Sequence, residues 1–477
     1  MLDRRSFLAA AGGALAAQPR GARPNIVFIL ADDLGWRDLS CYGSEHYSTP
    51  NLDRLASEGA RFTHAYAAAP VCSPTRASIL TGRAPARTGV TDWIPGRPWP
   101  ERGPLITPAT ARQLRLEETT LAEQLRQAGY RTANIGKWHL GGQRFLPGDQ
   151  GFDLNIGGTD SGSPPRSPRP YFGPFELPGL KAAEGEFLTE RLTAEAVRFI
   201  EQNRQNPFFL LLSHFTVHIP LSAPEDLVAR HRARAGGRYH PVYAAMVETL
   251  DASVGRVLEA LERHGLDRNT VVVFFSDNGG LCFEGTSKER VTSNAPLRAG
   301  KGHLYEGGIR VPFLLRYPGA VRAGATVDAS VSSIDLFSTL CEAAGVRARN
   351  TDGTSLLPLL RGEPLRPRQL FWHYPHYSNQ GGEPSSAILD GDWKLIEFYH
   401  GPRQELYNLR NDPGETRNLA ASQQAVAKKL SLALHQWLRQ TDARLPQPNP
   451  NADPAWSGLG LTGAEPPTPP QQAFPPG

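Results

Sequence analysis

Asn25-Ile26-Val27-Phe28-Ile29-Leu30-Ala31-Asp32-Asp33 is the stretch on which the fold is read. Ile26 to Ala31 is an unbroken apolar run, rich in branched side chains and lacking the polar alternation of a half-exposed strand. It predicts a strand covered on both faces, as in the parallel sheets of α/β proteins. Pro207 to Leu212 and Thr270 to Phe275 repeat the pattern, and Tyr130 to Ile135 and Val311 to Tyr317 add strands. Helices are predicted between them over Thr49 to Gly59, Thr119 to Ala128, Glu186 to Arg204, Tyr239 to His264 and Ser333 to Leu340. The fold class is therefore α/β: a large mixed, mostly parallel sheet sandwiched by helices.

After Gly353 the pattern changes. Arg361 to Arg368 reads as a linker, and four short strand-like runs follow between Gln369 and Leu409, with Asp390-Gly391 as a hairpin turn. Ala421 to Leu438 is helical. This predicts a smaller C-terminal antiparallel sheet and helix. The expected division is residues 24–365 and 366–445 as two domains, with 446–477 a proline-rich tail. Residues 1–23 hold Arg4-Arg5-Ser6-Phe7-Leu8 and the weakly apolar Ala9 to Ala17, which resemble a twin-arginine export signal, although Asp3 stands where Ser or Thr is usual. The expectation is a bacterial protein, periplasmic or secreted.

The 477 residues carry 51 basic and 47 acidic side chains, so the net charge of +4 gives no reason to expect nucleic acid. Cys41, Cys72, Cys282 and Cys341 are too scattered for a disulfide framework. The body has no apolar run long enough to cross a membrane, so no stable membrane insertion is expected.

Polar residues cluster where the predicted strands end, the edge at which open α/β sheets build their sites. Asp32-Asp33 are adjacent carboxylates that repel unless a cation or an arginine joins them, and a hard cation such as Ca²⁺ suits several oxygens. Ser276-Asp277-Asn278-Gly279-Gly280 brings more oxygens, with glycines that let the backbone come close. Gly136-Lys137-Trp138-His139 places a cation and an imidazole two residues apart, on one side if the segment is extended. Ser213-His214 leads to His218; these histidines lack a nearby third or fourth partner for zinc. Pro70-Val71-Cys72-Ser73-Pro74-Thr75-Arg76 precedes a helical run, with Ser73 the expected cap and Cys72 just ahead of the helix N-terminus. Beside Arg76 such a position suits a low-pKa thiolate, or equally a sulfate or phosphate ester. Lys301 stands between glycines before Glu306 and Arg310. His373-Tyr374-Pro375-His376-Tyr377 offers aromatic faces for a sugar ring, with His376 the expected substrate contact.

These segments resemble, in order, the signatures of the type I sulfatases, within the alkaline-phosphatase-like superfamily. Cys72 to Arg76 with Thr81-Gly82 matches C-x-P-x-R followed by Thr-Gly, Gly136 to Gly141 matches G-K-W-H-L-G, and Gly300 to Pro312 matches G-K-x-x-x-x-E-G-G-x-R-x-P. The resemblance implies that Cys72 is converted to formylglycine by a formylglycine-generating enzyme. It further implies Ca²⁺ held by Asp32, Asp33, Asp277, Asn278 and the modified Cys72, with Lys137, His218 and Lys301 on the sulfate. Attack by the hydrated residue 72 would pass a proton to Asp277, His218 or Lys301 would protonate the leaving alcohol, His139 would take the second proton, and Arg76 would steady residue 72. His214 would support His218 from behind. The implied activity is sulfuric ester hydrolysis on a sulfated mono- or oligosaccharide, with aryl sulfates as further substrates. A phosphonate or phosphate ester hydrolase of the same superfamily, and a catalytically silent glycan-binding protein, are the alternatives.

Overall fold

The computed structural model describes residues 23–96, 102–166, 169–282 and 291–456. Residues 1–22, where an export signal is expected, and those beyond 456 lie outside the described residues.

The main sheet has eight strands in the order Ala325–Val327, Ala60–Phe62, Phe313–Arg316, Thr270–Ser276, Asn25–Ala31, Phe208–Ser213, Arg131–Gly136 and Leu154–Ile156. Asn25–Ala31 is central and pairs in parallel with both neighbours, while Phe313–Arg316 runs antiparallel to the strands beside it. The unbroken apolar runs follow from this topology, because alternate residues face different cores. Val27, Ile29, Leu210, Leu212, Val272 and Phe274 face the helices Leu188–Asn203 and Pro241–Arg263. Ile26, Phe28, Phe209, Leu211, Val271 and Val273 face Cys72–Thr81, Leu121–Gln127 and Asp335–Ala343. A polar residue within these strands would be buried on either face, where an unpaired polar group is costly.

Helix limits differ from the sequence reading mainly at their caps. Thr120 closes a capping box with Glu123, so that helix begins at Leu121. Thr49 stands at the N-cap of Pro50–Glu58, yet its hydroxyl accepts from Ser40 N instead of its own helix. Within the Gly- and Pro-rich stretch Gly157 to Pro178 lies the strand Phe175–Leu177, which pairs with Leu180–Ala182.

The second sheet, Gln369–Tyr374, Ser385–Asp390, Trp393–Phe398 and Arg403–Asn408, is antiparallel throughout. One face, with Trp372, Tyr374 and Ile396, packs on Tyr66, Val71, Leu304 and Ile309 of the main body. The other, with Ile388, Leu395 and Leu406, is covered by the helix Gln424–Gln440. Beyond that helix, Gln447–Pro448 pairs with Leu105–Ile106.

This sheet is pinned by a buried charge cluster that sequence reading missed. Lys394 Nζ lies 2.9 Å from Glu306 Oε1 and 2.8 Å from Glu415 Oε1. Tyr66 donates to Glu306 Oε2 at 3.0 Å, and the Glu306 backbone N–H to Glu415 Oε2 at 2.7 Å.

Candidate active site

Three strand ends converge at the carboxyl edge of the central sheet. Asp32 and Asp33 follow Asn25–Ala31, Asp277 and Asn278 follow Thr270–Ser276, and Lys137 and His139 follow Arg131–Gly136. Gly136 makes that last approach possible: a Cβ there would stand 1.9 Å from the Ser213 carbonyl oxygen. Gly279 is equally constrained, its Cβ position lying 1.9 Å from Gly307 O.

Cys72 is the first residue of the helix Cys72–Thr81, not the residue ahead of it, and Val71 is the N-cap. Ser73 does not cap. Its hydroxyl donates to His139 O at 3.0 Å and accepts from Ile94 N at 3.0 Å, tying the helix start to two loops. Cys72 still lies where free N–H groups favour an anion. Its own thiol is not such an anion: burial pushes its pKa up, against the opposing charges of Lys137 and Lys301. The expectation of an activated thiolate fails on that desolvation.

Three cations meet three carboxylates. Lys137 Nζ is 2.7 Å from Asp32 Oδ2, Lys301 Nζ is 2.7 Å from Asp33 Oδ1, and Arg76 Nη2 is 2.7 Å from Asp277 Oδ2. Arg76 also donates through Nε to Asp277 at 2.8 Å and through Nη1 to Ser213 Oγ at 2.7 Å. Burial, with Asp277 beside it, raises Asp32 to about 8. Burial acts in the same direction on Asp33, but Lys301, then His218, hold that carboxyl well below the usual range. Lys301 is in turn raised by Asp33 despite its burial.

The histidines have definite roles in this network. His139 has φ +59°, so Lys137 and His139 do not share an extended segment, although both reach the centre. Its Nε2 sits 2.6 Å from the Ile94 carbonyl, which only accepts, so Nε2 carries the proton and Nδ1 presents a lone pair 3.3 Å from Cys72 Sγ. Burial, then Lys137, keeps the ring neutral by lowering its pKa well below the ordinary value. His218 directs Nδ1 to Ile219 O, leaving Nε2 3.8 Å from Asp33 Oδ2, and burial lowers it to about 3. Asp33 also has positive φ, +61°, a conformation that costs a non-glycine residue about 1 kcal/mol or more.

Two expected contacts lie elsewhere. His214 is buried with Nε2 on Ser253 Oγ at 2.9 Å, facing the helix Pro241–Arg263 and making no described contact with His218. His376 is only 3% exposed and has Nε2 2.9 Å from Thr91 Oγ1. It packs between the second sheet and the loop whose Ile94 holds His139.

The centre also suits a cation. Asp32 Oδ1 and Asn278 Oδ1 are buried acceptors without a donor, each costing free energy unless something fills the place of one. Oxygens of Asp32 and Asp33 and a ring nitrogen of His218 lie within 4.8 Å of one another. An oxygen-rich, largely buried set of this kind has the chemistry of a hard divalent cation.

The family profile described as Sulfatase matches residues 24–346. The chain belongs to the sulfatase family. The C-terminal profile of N-sulphoglucosamine sulphohydrolase matches residues 299–444 of this sulfatase. Human Arylsulfatase A is 35% identical over 91% of this chain and 90% of its own length. A protein described as Sulfatase from Formosa agariphila is 34% identical, over 88% and 90%. Ps i-CgsB, solved in complex with k-i-k-neocarrahexaose, superposes with a TM-score of 0.75 at 30% identity, covering 87% of this chain and 93% of that one. This sulfatase is a hydrolase, and no helix among its described residues is long and apolar enough to cross a membrane.

Proposed function

We propose that this sulfatase removes sulfate from a sulfated carbohydrate, with Cys72 matured to formylglycine as nucleophile and Ca²⁺ held by Asp32, Asp33, Asp277, Asn278 and the modified Cys72. One observation carries the reading: Cys72 opens a buried helix within reach of a neutral His139, among Arg76, Lys137 and Lys301, beside two oxygens that lack donors. The saccharide is supported by the neocarrahexaose bound to Ps i-CgsB and by the N-sulphoglucosamine sulphohydrolase profile.

When bound, the cation supplies Lewis-acid polarisation of a sulfate oxygen and a template for orientation. Formylglycine, once formed, supplies a hydrate with two hydroxyls on one carbon, which the thiol of Cys72 lacks. The remaining work belongs to the chain's own side chains. Lys137 and Lys301, both buried, place positive charge where sulfate oxygens gather. Arg76 holds Asp277 at the edge of residue 72, where its carboxylate accepts the proton of the attacking hydroxyl. His139 Nδ1, bare and aimed at residue 72, accepts the second proton. Lys301 carries a proton available to the leaving oxygen, whereas His218 is neutral in this state and contacts the ester through Nε2.

Maturation by a formylglycine-generating enzyme and export through a twin-arginine signal to the periplasm or beyond complete the proposal. The functional test is a matched panel of sulfated saccharides, aryl sulfates, aryl phosphates and aryl phosphonates, given to enzyme whose residue 72 is shown by mass to be converted. Preferential release of inorganic sulfate, including from a saccharide, is expected. Preferential cleavage of phosphorus esters, or no hydrolysis by converted protein, overturns it.

A further inference from the structure

A cavity of about 730 Å³ lies beside the reaction centre, and none of the side chains assigned above lines it. Arg37, Asp38 and His46 line it together with Arg232, Arg238 and Tyr239. It shares its partitions with the centre. Arg37 and Asp38 lie a few residues beyond Asp33. Thr292 to Ala295 lead into the Lys301 loop, where Asn294 Nδ2 donates to Gly280 O at 3.0 Å and Ala299 O at 3.0 Å. Thr292 Oγ1 donates across the partition to Asp38 Oδ1 at 2.8 Å.

The charges facing this cavity are unequal. Asp38 is 2% exposed, and Gly35 N, Tyr243 OH and Thr292 Oγ1 all donate to it, so its carboxylate is engaged inward. Glu45 pairs with Arg37 at 3.4 Å, and Arg232 with Glu225 at 3.4 Å. Arg238 donates to the main-chain carbonyls of Arg234 at 3.1 Å and Ala235 at 3.3 Å, and has no carboxylate partner among the described residues. Its charge is left over for a ligand. His46 stacks on Tyr239 with ring centroids 5.3 Å apart, an aromatic surface of the kind that covers the apolar face of a sugar.

We propose that this cavity is a distal subsite for an anionic sugar of the same chain whose terminal sulfate ester occupies the reaction centre. Arg238 receives a sulfate or carboxylate of that sugar, and the Tyr239–His46 stack supports its ring. This deepens the saccharide reading and rests on it. The consequence is selection for multiply charged chains over isolated sulfated sugars.

Calorimetry on the Cys72→Ala protein tests the cavity without turnover. The probes are three tetrasaccharides of alternating hexosamine and uronic acid: sulfated on every hexosamine, sulfated on the terminal hexosamine only, and fully sulfated with the uronic carboxylates reduced to alcohols. Loss of the internal sulfate or of the carboxylates is expected to weaken binding about tenfold, the scale of one charge-assisted contact. Which removal does so identifies the anion recognised. Arg238→Ala should abolish that difference, and Arg238→Lys should restore part of it. Equal affinity for all three probes, or a difference that survives Arg238→Ala, overturns the subsite. A difference that depends on Arg238 in a protein whose converted form releases no sulfate from any saccharide would instead sink the proposed function and leave the cavity as an anionic-sugar site.

Discussion

Two buried clusters of charge in this molecule use the same kinds of residue for different ends. At the junction of the sheets, Lys394 sits between Glu306 and Glu415, and each carboxylate oxygen has a donor or an ammonium against it. At the reaction centre, three cations balance three carboxylates, yet Asp32 Oδ1 and Asn278 Oδ1 are left without a donor and Asp33 and His139 are held at positive φ. The closed cluster fastens two layers together. The open one keeps unsatisfied oxygens, a cost in stability that a bound cation would relieve. Burial and charge alone therefore do not distinguish structure from function here.

The comparison breaks most visibly if Asp32 is neutralised. Asp32→Asn is expected to reduce sulfate release by at least about a thousandfold, as for loss of a group that stabilises transition-state charge. The melting temperature of the metal-free protein should not fall, because burial and Asp277 already disfavour the Asp32 carboxylate. A melting temperature that dropped sharply would place Asp32 with the closed cluster. Lys394→Met is the converse case. It leaves Glu306 and Glu415 buried without their cation and should cost about 3–5 kcal/mol in denaturant unfolding. A loss under about 1 kcal/mol would show that the sheets are held by their apolar face alone.

Calcium titration sharpens the contrast further. At a hundredfold excess over its dissociation constant, the ion should stabilise the protein by about 3 kcal/mol, and Asn278→Leu should remove most of that gain. Stabilisation unaffected by Asn278→Leu would move the ion away from the open oxygens.

The smallest expected effect concerns a buried histidine outside both clusters. Burial lowers His373 to about 4, against an ordinary value of 6.5. Its depressed folded pKa means that its contribution is complete above about 6.5 and is lost as the pH falls towards 4. At pH 5 the loss should be about 2 kcal/mol. His373→Gln should flatten the stability profile between pH 6.5 and 5, and an unchanged profile would contradict the assignment.

Much of the open cluster was legible because its residues end apolar strands or sit in short fixed spacings. Asp32, Asp33, Asp277, Asn278 and Lys137 are brought together simply by parallel strands finishing at one edge. What sequence could not show was conformation and distant pairing. The positive φ of His139 turns it towards Cys72 in a way that spacing along an extended segment does not predict. Ser73 looked like a cap because local sequence cannot reveal that Ile94 and His139 engage its hydroxyl. The contact of His376 with Thr91, 285 residues away in the chain, likewise has no local signature. Lys394 had no local signature either, since it lies within a strand and its carboxylates come from two remote loops. Ser213, bonded to Arg76, did carry a signal: it is the polar residue that ends the apolar run at Leu212.

The most direct measurement is inorganic sulfate release by two preparations purified side by side, both exposed to the maturation machinery and loaded with calcium: the natural chain, with residue 72 shown by mass to be converted, and Cys72→Ala. The natural chain should release sulfate in proportion to the converted fraction, and Cys72→Ala should release none above background while keeping the same melting temperature within about 1 °C, the shift that about 1 kcal/mol produces in a chain of this length. Sulfate release by Cys72→Ala at a comparable rate would contradict the account.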